Sequence, residues 1–431
     1  DMEVFPDGYV KIEGTKILET GPSCDLKETT EELRAAGWQI KDGKRGILMP
    51  GMVNTHCHLG MIPFRGLGDD CKDRLRVFLL PMEQKAMSRR MAALSSRYAI
   101  CELLLSGVTS VMDMYYFEAA VAQVMDQTGI RGIAGQTLMD EGGCDASDAD
   151  QSLSMAKELI ETYRMHPRIS GCAAPHATNT CSPQILKKAW ELDTANQVPF
   201  TLHAAEMDYE MTWLAQTRGC TPVGYLDQLG VLSDQTAAAH CIHLTDRDIE
   251  ILRQRGSGVC HCIGSNAKAA KGVAPVLKLL KEGVSVGLGT DGPASGNTLD
   301  LFTQMRLCAG FQKNNSHDRS AMPAKDIVSM ATRQGARVLG LEEKTGSIEP
   351  GKEADLVLVE TDSPNMFPVY DPYSALVYSA NASNVRDVYV AGTCLVQDKK
   401  LVYEDFESIR RELSDCMGRS AFGEMQELHR L

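Results

Sequence analysis

Leu48-Met49-Pro50-Gly51-Met52-Val53-Asn54-Thr55-His56-Cys57-His58 is an apolar run that ends in two histidines one residue apart. Its body, Leu48–Thr55, reads as a strand buried on both faces, because apolar residues fill it without strict alternation. Residues i and i+2 of a strand point to the same side, so His56 and His58 face one point past its end. Seven further runs of this kind follow: Val108–Met114, Gly132–Leu138, Ile169–Pro175, Phe200–Ala205, Ala237–Ile242, Gly258–Cys262 and Val284–Gly289. Between them lie helical stretches such as Arg89–Leu105, Ala119–Gln127, Ser152–Tyr163, Ser182–Asn196 and Asp246–Arg255. Ser182-Pro183 is a helix start signal, since Pro fits the first turn. Eight strands alternating with helices are the count of a (β/α)8 TIM-type barrel, an α/β fold. A doubly wound open sheet fits the same alternation, because periodicity alone does not close a sheet.

The two ends have another texture. Pro6-Asp7-Gly8 and Gly14 punctuate short strands near the start, and Gly346-Ser347-Ile348-Glu349-Pro350-Gly351-Lys352 introduces strands at Ala354–Val359, Val385–Gly392 and Thr393–Gln397. Neither end is long enough for a sandwich of its own. Residues 1–49 and 346–403 are therefore expected to form one small composite β-sandwich domain, with the barrel, 50–345, inserted between them. Residues 404–431 have helical spacing and are expected to dock as a tail.

Composition narrows the function. The 431 residues carry 44 Lys and Arg against 57 Asp and Glu, a net charge of −13, with no basic run to track phosphates. Nucleic acid and anionic membrane are poor partners for such a chain. No stretch of about eighteen apolar residues is present to span a bilayer. The 14 cysteines are scattered and never paired as C-x-x-C, which in a chain this long points to reduced thiols and a cytoplasmic location. The sequence opens on Asp1 without an initiator Met, so the N-terminus is expected to lie a few residues upstream.

Only ten histidines are present. His203 ends the fifth strand, His240 lies near the end of the sixth, His176 follows the fourth, and Asp291 follows the eighth. A lone histidine at a strand end is as a rule a hydrogen-bonded structural residue, and Thr290-Asp291-Gly292 alone is an ordinary turn. Their joint placement is another matter, because a barrel collects every one of them at its C-terminal rim. Three imidazoles and a carboxylate there suit a divalent metal that keeps an open position for water.

Pro50–His58, followed by Phe64-Arg65-Gly66-Leu67, resembles the amidohydrolase superfamily, and within it the chlorohydrolase and cytosine-deaminase-like branch. The resemblance continues through Ala174-Pro175-His176, Thr180-Cys181-Ser182, Leu202-His203-Ala204-Ala205-Glu206, Ala239–Leu244, Ser265-Asn266, Leu288–Gly292 and Gly346–Asp355. It implies a metal-dependent barrel with a β-domain. It further implies that His56, His58, His203 and Asp291 ligate one divalent ion, zinc first and iron second, which acidifies a water. Asp291 would accept that water's proton, Glu206 would protonate a substrate ring nitrogen, and His240 would hold the water and the charge at the tetrahedral centre. The implied reaction is hydrolytic deamination of an aminated N-heterocycle of the adenosine type, 5′-methylthioadenosine-like, with loss of ammonia. Glu206 favours an amine leaving group, since the ring must take a proton before its C–N bond yields.

The resemblance also assigns substrate contacts to Glu83, which would hold ribose hydroxyls, and to His176. A solvated helix charge is the alternative for Glu83. Gln136 stands where relatives that accept S-adenosylhomocysteine carry an arginine, and Asp140, Glu141 and Asp145 follow it. A distal carboxylate would thus meet negative charge. The family's usual Pro before Ser-Asn is Gly264 here, in Ile263-Gly264-Ser265-Asn266. His166, His317 and His429 lack partners and read as exposed, whereas His243 and His261 read as supporting or core residues. Strand alternation points Cys260 and Cys262 together and His261 away, against a joint metal site. Competing functions are hydrolysis of a triazine, a pterin or an oxidised guanine, losing an amine or chloride, and a non-catalytic scaffold. The intact ligand set with Glu206 and His240 speaks against the scaffold. The resemblance is compatible with a homo-oligomer.

Overall fold

In the computed structural model, which describes residues 2–422, the first quoted run is two strands rather than one. The strands in chain order are β1 (Gly8–Glu13), β2 (Lys16–Pro22), β3 (Ile47–Pro50), β4 (Met52–Cys57), β5 (Val108–Tyr115), β6 (Arg131–Leu138), β7 (Ile169–Pro175) and β8 (Phe200–Ala204). They continue as β9 (Thr236–His240), β10 (Gly258–His261), β11 (Val286–Leu288), β12 (Leu356–Val359), β13 (Val385–Val390), β14 (Thr393–Gln397) and β15 (Lys400–Leu401). The chain breaks at Gly51, whose N–H donates to the Asp355 carbonyl at 2.8 Å. That break lets β3 leave for an antiparallel sheet while β4 opens the barrel.

Strands β4 to β11 form two parallel runs, β4-β5-β6-β7 and β8-β9-β10-β11. The runs join at both seams. His203 N–H donates to the His176 carbonyl at 3.0 Å between β7 and β8, and Asp291 N–H donates to the His56 carbonyl at 3.0 Å between β11 and β4. The sheet is therefore a closed (β/α)8 barrel, and the open alternative is excluded. The second seam needs glycine. A Cβ on Gly287 would lie 2.4 Å from Thr55 Cγ2, and one on Gly289 would lie 3.1 Å from the His56 backbone nitrogen. Val53, Met112, Ile133, Cys172 and Cys260 fill the barrel interior.

Several strands are shorter than the apolar runs that announced them. β8 stops at Ala204 and β9 at His240, because Ala205, His240 and Cys241 take left-handed backbone with φ of +50°, +68° and +48°. L-residues adopt that region at a cost, and such strain concentrates at functional sites.

The β-domain draws on both ends of the chain, with sheet order β15-β14-β13-β12-β3. The β1–β2 hairpin lies against it, burying Ile17 with Ala354 and Leu356. Arg131 fastens this domain to the barrel: Nε donates to Asp355 Oδ2 at 2.7 Å and Nη2 to Oδ1 at 3.0 Å, with both side chains buried. The helices Arg89–Leu105 and Asp246–Arg255 have the expected bounds, and Ser182 caps Pro183–Asn196. The tail helix Phe406–Gly418 packs Phe406 on Tyr98, and Phe422 stacks edge-on against Phe64. His429 lies outside the described residues. No helix among the described residues is long and apolar enough to cross a membrane.

Candidate active site

The strand ends bring His56, His58 and His203 together so that one nitrogen of each lies within 4.8 Å of the others. Hydrogen bonds on the far side of two rings fix which nitrogen faces inward. His58 Nδ1 donates to the Met114 carbonyl at 2.5 Å, and His203 Nδ1 donates to the His176 carbonyl at 2.7 Å. A carbonyl only accepts, so Nδ1 of each ring carries a proton outward and Nε2 faces the common centre. His56 Nε2 and His203 Nε2 are 3.2 Å apart, and His58 Nε2 is 3.2 Å from Asp291 Oδ1. Burial keeps His56 and His203 neutral by pushing their pKa values well down, and neutral imidazole is the ligating form. Burial also opposes charge on His58 and Asp291, but their mutual contact outweighs it. His58 rises to about 9 and Asp291 falls well below the carboxylate range, so without a cation a proton on His58 Nε2 bonds to Asp291, and a bound cation would take that proton's place. Buried nitrogen lone pairs crowded around one carboxylate are the donor set of a divalent cation, and the residues fit one.

His58, His203 and Asp291 open onto a cavity of about 430 Å³ whose wall includes His176, His240, Glu206 and Glu83. His240 Nε2 is 3.5 Å from Glu206 Oε1, and His240 Nδ1 donates to Asn266 Oδ1 at 2.9 Å. Burial raises the proton affinity of Glu206, but His240 and Lys271 outweigh it and hold the carboxyl well below its ordinary range. Glu210, buried in the next helical turn, accepts the Glu206 N–H at 3.1 Å and the Thr178 hydroxyl at 2.5 Å. The departure at Gly264 has a structural consequence. Its N–H, which Pro lacks, donates to Gln304 Oε1 at 2.8 Å, and a Cβ there would lie 2.7 Å from Gln304 Nε2.

Glu83 is not a solvated helix charge. It is 3 % exposed, accepts from the Tyr115 hydroxyl at 2.6 Å, and is raised to about 7 by burial. His176 is pushed down to about 4, again by burial, and its Nδ1 pairs with Thr180 Oγ1 at 3.0 Å. Gln136 does not line the cavity. Its Nε2 donates to Asp145 Oδ2 at 3.1 Å, and its neighbour Thr137 takes the place on the wall. Asp145 also accepts the Phe117 N–H at 2.6 Å, so its carboxylate is turned away from the site. Asp140 and Glu141 are not on the wall, and the expected acidic border comes instead from Asp69, Asp70 and Asp73.

Sequence reading passed over three contributors. Asp113 accepts the Leu59 N–H at 2.7 Å and so fixes the chain directly after His58; a lone carboxylate inside an apolar strand was its signal. Tyr115 closes β5 and holds Glu83. Lys271 Nζ donates to Glu206 Oε1 at 2.5 Å, and nothing in the sequence pairs residues so far apart.

Residues 47–395 match the amidohydrolase family. The chain belongs to the amidohydrolase family. It is 38% identical over 409 residues to the 5-methylthioadenosine/S-adenosylhomocysteine deaminase of Thermodesulfovibrio yellowstonii, covering 94% of this chain and 92% of the relative. It is 37% identical over 423 residues to the 5'-deoxyadenosine deaminase of Methanopyrus kandleri, covering 96% of each. Among solved structures, an adenosine deaminase from Xanthomonas campestris with bound zinc superposes with a TM-score of 0.91 at 31% identity, covering 96% of this chain and 93% of that one. This amidohydrolase is thus a hydrolytic enzyme acting on C–N bonds.

Proposed function

We propose that this amidohydrolase removes the amino group of an adenosine-type nucleoside as ammonia. The observation that carries the reading is that Glu206 and His240 share one cavity wall with His58, His203 and Asp291, with His56 clustered against those histidines. Those four residues would hold one divalent cation, zinc before iron, and a cation bound there acidifies water and polarises the reacting centre. His240, tethered by Asn266, presents Nε2 to the attacking water. Asp291 and Glu206 take up its protons, and Glu206 delivers one to the ring nitrogen next to the carbon under attack. Buried Glu83, carried by Tyr115, suits a pair of ribose hydroxyls, and His176 suits the base. The location that fits such a metabolic enzyme is the cytoplasm.

The 5′ substituent is neutral in this reading. Three of the four cations on the wall already have partners: Arg74 donates to the carbonyls of Leu67, Ala294 and Phe64, and Lys268 donates to Asp69 and Asn297. Lys271 is held by Glu206, and exposed Lys72 is flanked by Asp70 and Asp73. A distal carboxylate therefore lacks the bidentate guanidinium that would recognise it, which costs roughly ten- to a hundredfold in kcat/KM.

Zinc-loaded protein is assayed for ammonia release from adenosine, 5′-deoxyadenosine, 5′-methylthioadenosine, S-adenosylhomocysteine, a pterin, a guanine and an aminotriazine. The neutral nucleosides should lead, and Glu206→Gln should keep its metal while kcat falls by roughly 10²–10⁴-fold. Preference for a triazine or pterin, or full activity in Glu206→Gln, would refute the reading.

A further inference from the structure

We infer that Lys271 is a positioning residue that drives the proton relay of Glu206 forward, an inference that rests on the deaminase reading above. Lys271 Nζ donates to Glu206 Oε1 at 2.5 Å, and the two side chains are only 19 % and 15 % exposed. Arg74 and Lys268 face the same cavity, but their contacts hold the loop 64–74 to the short helix Pro293–Gly296. Lys271 differs from both because its partner is a group the reaction uses.

The backbone is built to aim it. Lys271 follows the helix Ile263–Lys268, which starts directly after β10, and its N–H closes back onto the Asn266 carbonyl at 3.0 Å. Left-handed residues flank it on both sides, Ala270 with φ +54° and Gly272 with φ +114°. An alanine disfavours that region, and at Gly272 a Cβ would also lie 2.9 Å from Ile242 Cγ2. The turn thus runs against local preference and carries the ammonium across to the β8 rim. The same short segment holds Asn266 on His240 and Lys271 on Glu206, so one loop sets both groups.

The pairing has a chemical consequence. Oε1 of Glu206 meets Lys271 and His240, whereas Oε2 has no hydrogen-bond partner among the described residues. Oε2 is then the oxygen that accepts a proton from the attacking water and passes it to the ring nitrogen. During that interval Glu206 is neutral, and Lys271 sits in a partly buried cavity without its counter-charge. Delivery to the ring restores the carboxylate and the ion pair together. The water has lost a proton, the ring nitrogen has gained it, and Glu206 ends as it began. An ammonium in this place therefore disfavours a proton resting on Glu206 and favours its transfer onward.

The test compares two leaving groups. 5′-Deoxyadenosine must lose its amine as ammonia, whereas the 6-chloro analogue loses chloride, which needs less proton assistance. Lys271→Met and Lys271→Gln should lower kcat for the amine by roughly 10–100-fold, with KM and the chloride reaction changed less than about threefold. Lys271→Arg, which keeps the charge, should recover most of the loss, and all variants should bind the same amount of metal. Equal losses on both substrates, a change in KM alone, or no loss would overturn the inference. The unaltered enzyme reports separately on the reading beneath it: if it releases neither ammonia nor chloride, the deaminase assignment fails and the inference falls with it.

Discussion

His240 and Asn266 meet side chain to side chain, with Nδ1 2.9 Å from Oδ1. An amide oxygen only accepts, so the Nδ1 of His240 carries the proton and Nε2 is presented to the cavity beside Glu206. A buried asparagine that fixes a catalytic ring acts through that ring's orientation. Asn266→Ala should lower kcat by roughly 10–100-fold with bound metal unchanged, and Asn266→Asp, which keeps an acceptor, should lose less. Steady-state rates with elemental analysis check this; an unimpaired Asn266→Ala would show that His240 is oriented by something else.

The three-imidazole cluster predicts metal content directly. Purified protein should carry about one divalent ion per chain, and His203→Ala or His56→Ala should lose most of it. Chelation should abolish ammonia release and zinc should restore it. A metal-free protein at full activity would sink the assignment.

Burial of Glu83 predicts a pH dependence of stability. Its pKa is near 7 in the fold against 4.5 for a free glutamate. Between those values the folded protein holds more protons than the unfolded chain, so this carboxyl subtracts stability as pH rises, and the loss levels off above 7. Glu83→Gln cannot ionise. The Tm of the variant relative to the unaltered protein should therefore climb from pH 4.5 to 7 and then stay flat. Glu210, also raised to about 7, contributes equally to both and cancels. A gap that does not change with pH would mean Glu83 titrates like an exposed carboxyl.

The Arg131–Asp355 pair ties the barrel to the β-domain, and neither side chain has solvent to fall back on. Arg131→Met would leave Asp355 charged, buried and without its bidentate partner, at a cost of about 3–5 kcal/mol in unfolding free energy. Arg131→Met with Asp355→Leu should cost much less than the single change. Denaturant unfolding of the single and double variants checks this; equal losses would assign the effect to packing alone.

The order of strands and the ligand-bearing strand ends were legible because they depend on local pattern. Strands buried on both faces must be apolar throughout, and a barrel delivers every C-terminal strand end to one rim. The first run misled by one feature: Leu48–Thr55 is continuous in polarity, yet the Gly51 N–H is claimed by Asp355, some 300 residues away in the chain. Gln136 misled for a related reason, since correspondence with an arginine position says nothing of which face its strand turns outward. Its partner Asp145 was visible nine residues on, but only the loop's course shows that the two bond each other rather than a ligand.

The sequence by itself therefore determined the (β/α)8 barrel with a β-domain, the family, and the set of histidines and acids able to hold a metal. Tertiary structure alone decided how those groups are charged and aimed. Asn266 on His240, Tyr115 on Glu83, Glu210 on the Glu206 backbone and Lys271 on its carboxylate are contacts between residues 4 to 65 positions apart. Several of them are sited by left-handed residues that no periodicity announces. Apolar pattern is repeated along the chain and can be read from it. A proton's position depends on a few ångströms between side chains, and that distance exists only after the strands have closed.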